Sequence, residues 1–236
     1  MIRVTIFNEF IHEKKEESVK AIYPNGIHAA LKEHLQDDEL SVRTVTLDDE
    51  ECGLTEEVLA ETDVLIWWGH IGHNEVPDEV AKRVQSAVLS GMGAIFLHSA
   101  HHSKPFRLLM GTPCSLSWRE DGDREYVWVC DPSHPIAQGI DRYITLDHEE
   151  TYAEPFSIPE PDKLIFIGNF EGGEVMRAGC CYRRGYGKIF YFQPGHETFP
   201  IYHHPQIIRV IKNAVHWAVS DYRKIIDCPH IQKIGD

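Results

Sequence analysis

Two uninterrupted apolar runs, Val64–Trp68 (VLIWW) and Gly93–Leu97 (GAIFL), most constrain what this chain can fold into. A strand that is apolar at every position has both of its faces covered. That is the habit of a parallel sheet held between two layers of helices. Residues 3–7 and 41–47 read as further strands by their β-branched content. Helical spacing fills the gaps. Ile27, Ala30, Leu31 and Leu35 mark a helix over 24–35, Thr55 opens a short one, and Val80, Val84, Ala87 and Val88 follow Pro77 on one face. The β-α-β-α-β-α-β order predicts an α/β fold, a doubly wound and mostly parallel sheet with helices on both faces.

Beyond residue 118 the pattern changes to an added antiparallel excursion. Strands are predicted at 126–129, 163–167, 174–181 and 188–192, with Gly172-Gly173 and Arg184-Gly185 as hairpin turns. Residues 205–219 close the pattern as an amphipathic helix whose apolar face holds Ile207, Ile208, Ile211, Ala214, Val215 and Ala218. No repeat or long linker divides the chain, so residues 1–236 read as one domain. The stretch 111–161 is the one piece that could form a partly separate lobe.

Charge excludes several partners. With 23 basic and 37 acidic residues the net charge is −14, the wrong sign for binding nucleic acid or an anionic membrane surface. The longest charge-free apolar stretch, 84–97, is interrupted by Ser90, Gly91 and Gly93 and is too short to span a bilayer. The first residues read as a strand and not as a signal segment. The six cysteines form no C-x-x-C pair, so reduced thiols and a cytoplasmic location are expected.

The 15 histidines are the chemical signal. Three groups follow predicted strands: His70 and His73 after 64–68, His98, His101 and His102 after 93–97, and His196, His203 and His204 after 188–192. Ligands of open α/β sheets bind in the crevice at the carboxyl ends of the strands. There a sheet would gather His70, His98 and His196, with Glu150 from the segment Asp147–Tyr152 as carboxylate partner. Imidazole and carboxylate suit a divalent metal, zinc first and manganese second. His98, His196 and Glu150 also suit proton transfer near neutral pH. Ser99, on a strand-to-helix turn, is a candidate nucleophile, although Leu97 and His101 stand where the glycines of a G-x-S-x-G elbow belong. Trp68 and Tyr152 are candidate aromatic faces for a sugar ring, and His73 and Glu197 complete the expected substrate contacts. His101, His102, His203 and His204 read as surface or core-edge residues. No G-x-G-x-x-G follows a strand and no P-loop is present, so no nucleotide is expected.

The segments DVLIWWGH (63–70), GAIFLHSA (93–100), DHEETY (147–152), YFQPGHE (191–197) and KNAVHWA (212–218) together resemble the trehalose-utilisation ThuA family. That family is similar in fold to the class I glutamine amidotransferases, a flavodoxin-like sheet with a hydrolase-type elbow. The resemblance implies a role on trehalose, a related disaccharide or a keto-sugar derivative. The amidotransferases use an elbow cysteine and a later His-Pro-Glu; here the elbow reads His98-Ser99, and His196-Glu197 has no intervening proline. Without the thiol, glutamine amidotransferase activity is not expected. The leading expectation is a sugar isomerase, lyase or hydrolase using metal- or histidine-assisted acid–base chemistry. The alternatives are a non-catalytic sugar-binding or assembly subunit and a hydrolase built on Ser99. The aromatic content of 118–128 further predicts a homo-oligomer.

Overall fold

The computed structural model describes residues 1–220, 222–225 and 227–235. Its apolar runs become the middle of one sheet. Strands β1 (Ile2–Asn8), β2 (Leu40–Thr46), β3 (Val64–Trp68) and β4 (Gly93–Leu97) lie parallel in the order β2-β1-β3-β4. Every residue of β3 and β4 is buried, as strands covered on both faces must be. The connections carry α1 (His12–Lys15), α2 (Glu17–Ile22) and α3 (Ile27–Leu35) before β2, α4 (Glu56–Ala60) before β3, and α5 (Asp78–Leu89) before β4. The two short helices between residues 12 and 22 have no clear apolar period and no counterpart in the sequence reading.

After β4 a tight turn leads into α6 (Lys104–Met110). The Ser103 hydroxyl caps its start by accepting from the Phe106 N–H, and Gly111 ends it in the left-handed conformation. The chain then builds β5 (Ser117–Arg119), β6 (Glu125–Val129), β7 (Tyr143–Leu146), β8 (Thr151–Ala153), β9 (Lys163–Phe170), β10 (Val175–Arg184) and β11 (Gly187–Phe192). Strand β11 returns beside β4 and runs parallel to it, in register Ile189↔Ala94 to Phe192↔Leu97. From β11 outward, β10, β9, β6 and β7 continue the same sheet antiparallel. The antiparallel excursion thus extends the main sheet. Within 111–161 only the short ribbon β5–β8 stands apart as a second sheet.

Helix α7 (Pro205–Ala218) buries Ile207, Val210, Ile211, Ala214, Val215 and Ala218. It packs on β4 and β11 and touches α3, whereas α5 packs against α4 and α6. No helix among the described residues is long and apolar enough to cross a membrane.

Candidate active site

The carboxyl ends of four parallel strands supply most of the site, as the crevice rule requires. Glu9 and His12 follow β1, Gly69, His70 and His73 follow β3, His98 and Ser99 follow β4, and Gly195, His196 and Glu197 follow β11. Glu149 and Glu150 arrive from the turn before β8.

His98 occupies the sharp turn after β4 with φ +52°, a left-handed conformation uncommon for a non-glycine residue. Its Nδ1–H donates to the Gln193 carbonyl at 3.0 Å, and Nε2 lies 3.0 Å from Glu150 Oε2. Its ring stacks on Tyr152 with centroids 5.0 Å apart and planes 10° from parallel. Burial works against a charged ring here, but the bond to Glu150 and the charges of Glu149, Glu150 and Glu197 outweigh it and raise the His98 pKa to about 9. The carboxylates around it therefore favour the protonated ring. Burial opposes ionisation of Glu150 too, yet contact with His98 and the fields of His196 and His70 hold its carboxyl below the usual range.

His70 donates from Nδ1 to Glu197 at 2.9 Å, and its backbone N–H donates to Glu9 Oε2 at 2.8 Å. Glu9 reaches that amide because residue 69 is glycine. A Cβ there would stand 2.6 Å from Glu9 Oε1. Burial resists the charge on Glu197, but hydrogen bonding to His70 and the charges of His70, His196 and His12 bring its pKa to about 2. The same carboxylate raises His70 against its own burial.

His196 behaves differently. Its Nδ1 lies 2.7 Å from Thr198 Oγ1, while Nε2 is buried without a hydrogen-bond partner, 3.8 Å from Glu150 Oε2 and 3.8 Å from Glu197 Oε1. Burial first, and the His98 charge second, lower its pKa to about 4, so the ring is neutral at pH 7. Glu149 holds this loop in place: its carboxylate accepts from the Gly195 N–H at 2.7 Å, the Glu150 N–H at 2.9 Å and the His196 N–H at 3.1 Å.

Ligand atoms of His70, Glu120, Glu150 and His196 lie within 4.8 Å of one another. Two imidazoles and two carboxylates are a suitable donor set for zinc or manganese. The unpartnered His196 Nε2 lies in the same cluster, while Nδ1 accepts from the Thr198 N–H at 3.3 Å and lies 2.7 Å from the Thr198 hydroxyl. Three of the four residues expected as ligands meet here. The fourth, His98, joins a second set with His196 and Glu197 whose ligand atoms also lie within 4.8 Å of one another, and Glu120 adds a donor the sequence reading did not name. A cavity of about 340 Å³ opens on one side, lined among others by His70, His73, Ser99, Trp118 and Tyr152. A second of about 490 Å³ lies on the other, lined among others by His148, His196 and Phe199, and both share Glu120 and Glu150.

Other expected residues are distributed less evenly. Tyr152 and His73 line the first cavity. Glu197 orients His70 instead of facing the cavity. Trp68 is corrected, because it is fully buried and donates from Nε1 to the Gly195 carbonyl, so no ring face is free for a sugar. Ser99 lines the first cavity, but no hydrogen bond joins its Oγ to His98 or His196. None of the six cysteines lines either cavity. Three residues escaped the sequence reading. Glu9 and His12 follow β1, and the strand-end rule applied to β1 would have found them. Glu120 had no local signal, since it is brought in by the long-range pairing of β5 with β8.

The family model for trehalose utilisation, ThuA, matches residues 3–218. The chain belongs to the ThuA family. A ThuA-like protein from Parabacteroides merdae is 15% identical and superposes with a TM-score of 0.67 over 97% of this chain and 93% of its own. One from Bacteroides uniformis is 14% identical, with a TM-score of 0.67 over 94% and 92%. A glutamine amidotransferase from Thermotoga maritima is 12% identical, with a TM-score of 0.52 over 83% and 76%. At such identities these structures establish the flavodoxin-like amidotransferase fold alone. A search of curated proteins gives no match. Membership in ThuA gives the chain a broad role in carbohydrate utilisation.

Proposed function

We propose that this ThuA protein is an enzyme that moves a proton at a hydroxyl or carbonyl of trehalose, a related disaccharide or a keto-sugar derivative. Its metal would be zinc, or manganese second, held by His70, Glu120, Glu150 and His196. The observation that carries the reading is the neutral His196 Nε2, buried, unpartnered and 3.8 Å from an ionised Glu150 that His98 holds in place. A buried polar atom left unbonded costs about 1–3 kcal/mol, and such a cost is met where a ligand completes the site. When bound, a divalent cation supplies Lewis acidity to a sugar oxygen. His98 keeps Glu150 ionised and oriented, and the Glu150 carboxylate takes up the proton at the reacting oxygen. The elbow residue is an imidazole and not a thiol, so amidotransferase chemistry forms no part of the reading.

Metal content of the purified protein, measured by elemental analysis, tests the metal. Less than a tenth of an equivalent, with no change in melting temperature on adding zinc or manganese, overturns it. Proton NMR of trehalose, maltose and 3-keto-trehalose incubated with the protein tests the chemistry. Turnover that H196A and E150Q abolish supports it. Undiminished turnover by both variants overturns the site, and sugar-dependent stabilisation without turnover favours a non-catalytic binding subunit.

A further inference from the structure

Trp118 is 64% exposed, an unusual state for a tryptophan. It lies in β5, whose alternation sorts the neighbouring residues by face. Leu116, Trp118 and Glu120 all line the first cavity. On the other side Arg119 forms ion pairs with Asp121, Asp123 and Glu174. In the ribbon Trp118 pairs with Tyr152, two residues beyond Glu150. One short ribbon therefore fixes an indole, a candidate metal ligand and the Glu150 segment relative to one another, and its outer face is clamped.

The cavity beside the indole has the makings of a sugar subsite. Its volume of about 340 Å³ falls at the lower end for small-molecule sites. Besides Trp118 it is lined by Ser99, Ser115, His73, His101 and His102. Burial lowers the His73 and His101 pKa values to about 3, so both rings are neutral. Neutral imidazoles and hydroxyls both donate and accept, as sugar hydroxyls do. The electron-rich face of an indole attracts the weakly positive C–H groups on the flat side of a pyranose.

We propose that this cavity is a pyranose subsite and that Trp118, rather than the buried Trp68, is its stacking platform and the main determinant of which sugar is taken. The inference rests on the sugar reading above and deepens it by assigning one ring of the substrate to the β5 side of Glu120 and Glu150.

Isothermal titration of trehalose and of methyl α-glucopyranoside into wild type, W118A and W118F, with and without zinc, tests it. The expected result is binding by wild type, a loss of about tenfold or more in W118A, and near wild-type affinity in W118F. Melting temperatures should agree within about 2 °C, since an exposed side chain contributes little to stability. Equal affinity in wild type and W118A overturns the platform and leaves the sugar reading standing. No binding of either sugar by wild type, with or without metal, overturns both. A lower solution mass for W118A at unchanged sugar affinity assigns Trp118 to a contact between copies of the chain, and also overturns the proposal.

Discussion

Gly195 joins β11 to His196 and tests how tightly the site is held. Its φ is +149°, outside the range L side chains favour. A Cβ there would lie 2.0 Å from Tyr202 Oη, 2.7 Å from Tyr202 Cζ and 3.2 Å from the His98 Cβ. Tyr202 is fully buried and packs against Tyr23 at 6.2 Å between centroids, so it cannot swing aside into solvent. Overpacking of this kind costs about 1–3 kcal/mol, and the strained backbone adds roughly 1 kcal/mol or more. The sum, about 2–4 kcal/mol, corresponds for a chain of this size to a melting temperature lower by roughly 4–16 °C. Thermal denaturation of G195A followed by circular dichroism measures it. The double variant G195A/Y202F removes the closest atom but leaves Cζ, and should recover part of the loss. A G195A melting temperature within 2 °C of wild type, with unchanged sugar turnover, would show that the loop yields, and would refute the claim that it is rigidly held.

Three further outcomes follow from the same geometry. E120Q should weaken zinc binding measured by competition with a chromogenic chelator, whereas the cavity-lining S99A should leave it unchanged; equal affinity of E120Q and wild type would remove Glu120 from the donor set. His101 is buried, donates to the Cys114 carbonyl at 2.6 Å and has its pKa lowered to about 3. Below its ordinary pKa near 6.5 the unfolded chain binds the proton and the folded chain does not, so its contribution to stability falls by about 2 kcal/mol between pH 7 and pH 5. Urea unfolding at both pH values should show H101Q losing about that much less than wild type, and parallel losses would contradict the assignment. R119A should change the melting temperature little, because the clamp is exposed, yet weaken trehalose binding by freeing the ribbon; unchanged affinity would show that the clamp does not position Trp118.

The parallel half of the sheet was legible because its strands are written as apolar runs. Burial on both faces leaves no other composition for residues 64–68 and 93–97. The placement of His70 and His98 followed from those runs and that of His196 from the strand at 188–192, since a strand's end can be read wherever the strand can. What escaped depends on contacts distant in sequence. Ser117 pairs with Ala153, and nothing near residue 120 announces that its carboxylate will meet Glu150. Two tryptophans show the limit from the other side: Trp68, a sugar-face candidate, lies within an apolar run and is core, whereas Trp118, not a candidate, lies among polar residues and is exposed. Position relative to the run, more than residue type, separated them. The charge on His98 was equally hidden, because it is set by Glu149, Glu150 and Glu197, which converge only in the folded chain.

The return of β11 to a place between β4 and β10 bears on how the chain emerges from the ribosome. Until residues 187–192 are made, the wholly apolar β4 has a partner on one side only, and its other edge is bare. An exposed, uncharged edge of that kind invites pairing with other chains. His196 and Glu197 come directly after the strand that covers it. The step that protects the nascent chain from aggregation is therefore the one that delivers the last residues of the proposed site, and chains arrested before it should be captured by chaperones.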